Sequence, residues 1–254
     1  MIDALYISST GLRSQQEQID VISNNVANMQ TPGFKRGRVN FAEVAAIAAP
    51  NENASSGSQH GGGSRVLSTS TMFGAGALQP TRNPLDMAID GNGFFELEDI
   101  AGNRFYSRAG QFRLDEEGYL TSVSGMRLAQ GMQIPSDASE IRITGAGEVS
   151  AQLSGETERT VLGTIDLVTF VANEGLESAG NNAFTATARS GEPQSVAAGE
   201  AGVGKIQQGY IEMANVDMID EMSGLVLAQR AYQLNARVLQ ASDQLLETIN
   251  NLRR

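Results

Sequence analysis

The chain has 254 residues, 28 of them glycine, with no cysteine, no tryptophan and a formal net charge of −11. Its length can bury at least one sizeable core, while the absence of cysteine excludes disulfides, thiolate nucleophiles and zinc–thiolate sites. The acidic balance argues against nucleic acid as a partner, because phosphate contacts need clustered Lys and Arg, and no stretch reaches the roughly 20 apolar residues of a membrane span.

The first residues, MIDALYISSTGLRSQQ, lack the basic start and unbroken apolar stretch of a secretory signal. A chain of this kind is expected to stay in the cytoplasm or to leave by a route that uses no cleaved signal. From Leu5 to Met29, residues Leu5, Ser8, Leu12, Gln15, Ile19, Ile22, Val26 and Met29 recur at steps of three and four. That is the 3.5-residue period of a coiled-coil seam, and it predicts a helix and turn over residues 1–45. Ser8 and Gln15 weaken an isolated pair but fix register among several packed helices.

After Phe41 the pattern fades. Residues 46–82 are expected to be a linker or extended stretch, and NENASSGSQHGGGS at 51–64 to be flexible, unless a neighbouring subunit orders it. From Leu85 short β-branched and aromatic runs alternate with turn signals, which predicts an antiparallel β-rich domain over 83–213, a small barrel or sandwich. Asn92-Gly93 reads as a tight hairpin turn, with Phe94 and Phe95 opening the next strand.

The last segment, 214–254, returns to helical spacing with Leu227, Ala231, Leu234, Val238, Ala241, Leu245, Thr248 and Leu252. Met222, Leu225, Val226, Leu239, Leu246 and Ile249 widen the stripe beyond what one two-helix contact requires. Long helices at opposite ends of a chain pair only if the chain returns to its starting place. The fold class is therefore α+β, with N- and C-terminal helices forming a coiled-coil stalk and a central antiparallel β-rich domain. The plainer reading is that both helices simply pack on each other or on the central domain.

Three motifs invite catalytic or binding readings. Gly199 to Lys205 satisfies the spacing of a phosphate-binding loop, but Ile206 stands where a magnesium-binding hydroxyl is needed and no parallel α/β repeat precedes it. Asp90-Gly91-Asn92-Gly93 begins like a calcium loop, yet Phe94 interrupts the alternating oxygen ligands. Asp115, Glu116 and Glu117 precede Gly118 as a solvated turn would. The one histidine, His60, sits in the Gly/Ser tract, so no triad is available. The expectation is a protein that is not an enzyme and has no cofactor, no metal and no membrane insertion.

Three ordered segments resemble the flagellar rod and hook family of axial proteins. The first runs from Gly11-Leu12 through Asn24-Asn25 and Asn28 to Gly33-Phe34-Lys35-Arg36. The second is Asn83-Pro84-Leu85-Asp86 through Gly91 and Gly93 to Phe94-Phe95. The third runs from Gln208-Gly209-Tyr210 and Asn215-Val216 to Gln229-Arg230-Ala231-Tyr232 and Ser242-Asp243-Gln244. The resemblance covers nearly the whole chain, except that residues 46–82 align poorly, and the length fits a rod member better than a hook member.

The resemblance implies a homo-oligomeric helical tube whose inner core is made of the terminal helices and whose outside carries the β domain. On that reading Leu5, Leu12, Ile19, Ile22, Val26, Leu227, Ala231, Leu234, Val238, Ala241, Leu245 and Leu252 form the contacts between subunits. It also implies other rod and hook proteins as partners, P and L rings as surrounding bushings, a periplasm-spanning basal-body location, and type III export. From another class, a secreted β-domain that binds a ligand is the competing reading, and it would keep its activity without either helical end.

Overall fold

The computed structural model describes residues 2–46, 60–154, 158–200 and 202–252. They fall into two compact units, a helical one of residues 1–27, 37–71 and 217–254 and a β-rich one of residues 28–36 and 72–216. The chain therefore crosses between units at 27/28, 36/37, 71/72 and 216/217. Residues 28–36, which the sequence groups with the first helix, cluster with the β-rich unit.

In the helical unit, α1 (Ile2–Ala27) and α2 (Met218–Leu252) are long and uninterrupted, as the seam periodicity predicts. Asp217 caps α2: its Oδ1 accepts from the backbone N–H of Ile219 at 2.8 Å and of Asp220 at 3.3 Å. Acidic Asp220 and Glu221 then sit at the positive end of the helix dipole.

Strand β1 (Gly37–Ala46) pairs antiparallel with β2 (His60–Thr71), from Gly37 opposite Thr71 to Ala46 opposite His60, with irregularities after Asn40 and Glu43. Neither strand is anticipated by the sequence pattern, and residues 60–64 of the tract read as flexible belong to β2. The reason is proximity to α1. Gly63 has φ +101° and its backbone passes so close to Thr10 that a Cβ would collide with the Thr10 hydroxyl. Glycine in this tract serves a close approach of strand to helix rather than chain freedom. The rest of the Gly/Ser/Asn tract, 51–59, lies outside the described residues.

The β-rich unit contains β3 (Leu78–Pro80), β4 (Met87–Asp90), β5 (Phe94–Glu98), β6 (Arg104–Ser107), β7 (Phe112–Leu114), β8 (Leu120–Ser122) and β9 (Arg127–Leu128). It continues with β10 (Ala138–Ile143), β11 (Glu148–Leu153), β12 (Arg159–Thr164), β13 (Asp166–Thr169), β14 (Glu177–Gly180), β15 (Ala183–Thr185), β16 (Gln194–Ala197), β17 (Lys205–Gln208) and β18 (Tyr210–Glu212). The main sheet follows the open order β14-β15-β6-β5-β9-β8-β7, with β13 joined to β5 and β16 to β13. Beside it are a β10-β11-β12 sheet and the pairs β17-β4 and β18-β3, all antiparallel. The turn between β10 and β11 carries Gly147 at φ +83°.

β5 is the centre of this unit because its alternating side chains are buried on both faces. Phe95 and Leu97 enter the larger apolar cluster with Met87, Ile89, Leu120, Val149, Ile165 and Leu167. Phe94 enters a second, aromatic cluster, meeting Phe73 edge-to-face at 5.4 Å, while Phe73 meets Phe184 at 5.0 Å.

The expected hairpin at Asn92-Gly93 does not form. β4 pairs with β17, whereas β5 pairs with β6, β9 and β13, so residues 91–93 carry the chain from one pairing to another. Positive φ falls on Gly91 and Gly93 and not on Asn92. The dipeptide signal was outweighed by tertiary packing: a Cβ on Gly91 would stand 2.7 Å from the Gly204 Cα, and the Gly204 N–H donates to the Asn92 carbonyl at 2.7 Å.

Candidate assembly interface

α1 and α2 run antiparallel. A Cβ on Gly11 would lie 2.9 Å from Asn235 Nδ2, one on Gly224 would lie 3.4 Å from Ile22 Cδ1, and Asn25 Nδ2 donates to Glu221 Oε2 at 3.4 Å. Each step forward along α1 is matched by a step back along α2. Small residues at the contact let the helices approach closely, and a buried amide–carboxylate bond sets their register.

Along α2 the buried or half-buried positions nearest the seam are Glu221, Ala228, Asn235 and Ser242, spaced by sevens. Gly224, Leu225 and Leu239 beside them are half-buried as well. Leu227 and Leu234 lie one position earlier in the same heptads and remain 64% and 61% exposed, with Leu245 at 56%. Val238 and Ala241 are exposed as well, and Ala231 is half-buried. Leu252 belongs to the last turn of α2. On α1, by contrast, the predicted seam is mostly covered: Ile22 is buried and Leu5, Leu12, Ile19 and Val26 are half-buried.

The second side of α1 faces the β1-β2 hairpin. Ser14 Oγ donates to the Ser64 carbonyl at 3.3 Å. Asn25 clasps the backbone of Gly37, donating to its carbonyl and accepting from its N–H, both at 2.9 Å. That explains Asn25 in the N-terminal signature, since a carboxamide carries its donor and its acceptor on separate atoms, matching the carbonyl and N–H of one residue. Asn24 lies on the exposed side of the last turn. Gln229, Arg230 and Tyr232 of the C-terminal signature are exposed too.

In the β-rich unit the sequence gives no warning of a buried ionic clamp. The Glu212 carboxylate receives Lys35 Nζ at 2.6 Å, Arg108 Nη1 at 3.2 Å and the Gly76 N–H at 2.8 Å, with both Lys35 and Glu212 side chains fully buried. Two cations on one anion leave an excess positive charge, which backbone oxygens absorb. Lys35 also donates to the Gly74 carbonyl at 2.8 Å, and Arg108 to those of Ile89 and Gly91. The Phe94 ring lies 5.5 Å from the guanidinium carbon. Burial pulls the Lys35 ammonium below its ordinary range of 10.5, with the Glu212 charge opposing and the Arg108 charge adding to the shift. Burial likewise lowers Arg108, against the pull of Glu212.

Gly33 lets this clamp close. Its φ is +73°, and a Cβ there would stand 2.5 Å from the Ala109 nitrogen. Its N–H donates to the Glu212 carbonyl at 2.8 Å. Asn28 starts the turn that leads there, its carbonyl accepting from the Thr31 N–H at 2.9 Å, and the Phe34 N–H donates back to Thr31 at 3.2 Å. The Gly-Phe-Lys signature is thus a backbone fit followed by a buried charge. Three residues after Glu212, Asn215 accepts from the Arg36 N–H at 2.7 Å and donates to the carbonyls of Met72 and Gly74 at 2.8 and 3.1 Å.

The remaining motifs resolve into turns. Gly199–Gly204 is the connection from β16 to β17, closed by the Gly199 N–H donating to the Gly204 carbonyl at 2.9 Å, and Lys205 opens a strand instead of a helix. Asp115 Oδ1 accepts from the Glu117 and Tyr119 N–H groups, while Arg127 Nη2 reaches Asp115 and Glu117, each at 2.8 Å. Among the described residues no group of three or more His, Cys, Asp or Glu is placed to hold a metal ion. No described helix is long and apolar enough to cross a membrane.

These features coincide with known families. The family described as flagella basal body rod protein matches residues 5–35, the D1 domain of flagellar hook protein FlgE/F/G matches 88–151, and the C-terminal part of flagellar basal body rod FlgEFG protein matches 207–252. Along its full length the chain is 39% identical to the flagellar basal-body rod protein FlgG of Buchnera aphidicola subsp. Acyrthosiphon pisum, covering 99% of this chain and 100% of that one. It is 36% identical to FlgG of Caulobacter vibrioides, with 99% and 100% covered, and 34% identical to FlgG of Bacillus subtilis, with both chains covered in full. Three family matches in order along the chain, and relatives aligned from end to end, place the seam helices and the Gly33–Lys35 turn in one lineage: the chain belongs to the FlgG family of flagellar basal-body rod proteins.

Proposed function

We propose that this chain is a structural subunit of the distal rod, many copies of which stack helically into a tube that carries torque from motor to hook. The terminal helices are the joints, and no bond is made or broken. The observation that carries this reading is the division of labour on α2. Its contact with α1 uses Glu221, Ala228, Asn235 and Ser242, while Leu227, Leu234, Val238 and Leu245 stay exposed on one helix. A long apolar stripe left uncovered in a folded chain is the mark of a surface meant for a partner, and in a helical polymer that partner is another copy.

The other rod and hook proteins are the heterologous neighbours at either end of such a tube, and the P and L rings are the bushings around it. The location is the periplasm-spanning basal body, reached by export without a cleaved signal. The names of the relatives and the exposed stripe support this reading. Electron microscopy of the full-length chain, concentrated stepwise, tests it: helical tubes of uniform diameter are expected. A chain that stays monomeric at every concentration and fails to enter basal bodies would overturn the proposal.

A further inference from the structure

The segment 28–36 is attached to the β-rich unit in an unusual way. Neither of that unit's apolar clusters contains any of its residues. Its attachments are polar: Gly33 N–H to the Glu212 carbonyl, Lys35 Nζ to Glu212 Oε1 and to the Gly74 carbonyl, and Arg36 N–H to Asn215 Oδ1. The Met72 N–H donates to the Arg36 carbonyl at 2.8 Å, and Asn182 Nδ2 to the Pro32 carbonyl at 3.0 Å. Half of these bonds converge on Glu212 and Asn215, which stand three residues apart just before α2.

We propose that residues 28–36 form a detachable strap, latched by Glu212 and Asn215, which can leave the β-rich unit as one piece while both apolar clusters stay folded. The physical basis is the kind of bond that holds it. Elements held by apolar burial come away only with the core. An element held by a few directional bonds opens by itself once those bonds have lost their acceptors. Glu212 is the point of failure because it serves the strap three ways, through its carbonyl to Gly33, through Oε1 to Lys35, and through Oε2 to the Arg108 that lies under Gly33. Asn215 is the second catch, since one side chain binds Arg36, Met72 and Gly74. The strap is also the covalent link between α1 and β1, so its release leaves residues 28–36 as free chain between them. This inference does not depend on the tube reading, since it concerns the single folded chain.

Hydrogen exchange with mass spectrometry, on the full-length chain kept dilute, tests the latch. In Glu212→Gln, amides of residues 33–36 and 72–76 are expected to exchange about tenfold or more faster than in the parent, while β5, β13 and the Asn25-bound Gly37 keep their protection. Asn215→Ala removes the second catch without stranding a buried charge, and it serves where Glu212→Gln does not fold. It is expected to speed exchange at Arg36 and around residues 72–76, again sparing β5 and β13. Equal acceleration across the whole β-rich unit in Asn215→Ala would show that the strap is part of the core and overturn the proposal. Unchanged exchange at the strap in both variants would do the same.

Discussion

Replacing Leu234 by Asp separates folding from assembly on one residue. In the free chain Leu234 is 61% exposed, so little of its burial contributes to folding. An exposed substitution of this kind changes stability by about 0.5 kcal/mol, with a helix-propensity penalty of similar size. In an assembled joint the exposed portion is covered. Fully burying a leucine stabilises by about 1.5–3 kcal/mol, so covering the remaining 61% is worth roughly 1–2 kcal/mol per contact. An aspartate there adds the cost of an unpaired carboxylate in an apolar contact, about 2 kcal/mol at the least. Together these exceed about 3 kcal/mol, more than a hundredfold in association constant. The assay is sedimentation of tubes against concentration, with urea unfolding of the dilute chain as the control. The critical concentration should rise at least a hundredfold while the unfolding midpoint barely moves. Tubes forming at the parent's concentration would refute the assignment of this stripe to the joint.

Other expectations follow from the clamp and the caps. Gly33→Ala places a Cβ against the Ala109 backbone at positive φ, so faster proteolysis within 28–36 is expected, at a cost of about 1 kcal/mol from the backbone angle and more from the collision. Asp217→Ala removes the α2 cap and should cost about 1 kcal/mol in urea unfolding, with faster exchange confined to the first turn of α2. Lys35 carries a pH signature. Its folded-state pKa lies below 10.5, so between the two values the unfolded chain binds more protons and stability contributed by this group rises with pH. The stability advantage of the parent over Lys35→Met should therefore be larger near pH 10.5 than at about pH 8; an advantage that shrinks over this range would contradict the sign of the shift.

The terminal helices were legible because a 3.5-residue repeat survives in sequence whatever it packs against. Which of two adjacent stripes faces the partner helix was not. Leu227 and Leu234 look like the better seam, yet Ala228 and Asn235 sit closer to α1, because close approach and a buried Asn25–Glu221 bond favour small and polar residues there. The β-rich middle was visible in its runs and turns, but strand partners were not: Asn92-Gly93 carries a strong local hairpin signal that the approach of Gly204 outweighs. The clamp was invisible for a simpler reason. Lys35 and Glu212 are 177 residues apart, and each alone reads as a surface charge, Lys35 between Phe34 and Arg36 and Glu212 between Ile211 and Met213.

The offset stripes on α2 make this helix sensitive to length in a way that its side chains do not advertise. Each residue of an α-helix turns the chain by about 100°, so one inserted residue between Leu227 and Leu234 would swing them apart onto different faces. A substitution spoils one tooth of the gear, but an insertion misaligns every tooth beyond it. Lineages of this chain should therefore hold the residue count of α2 fixed even where single residues along it are exchanged.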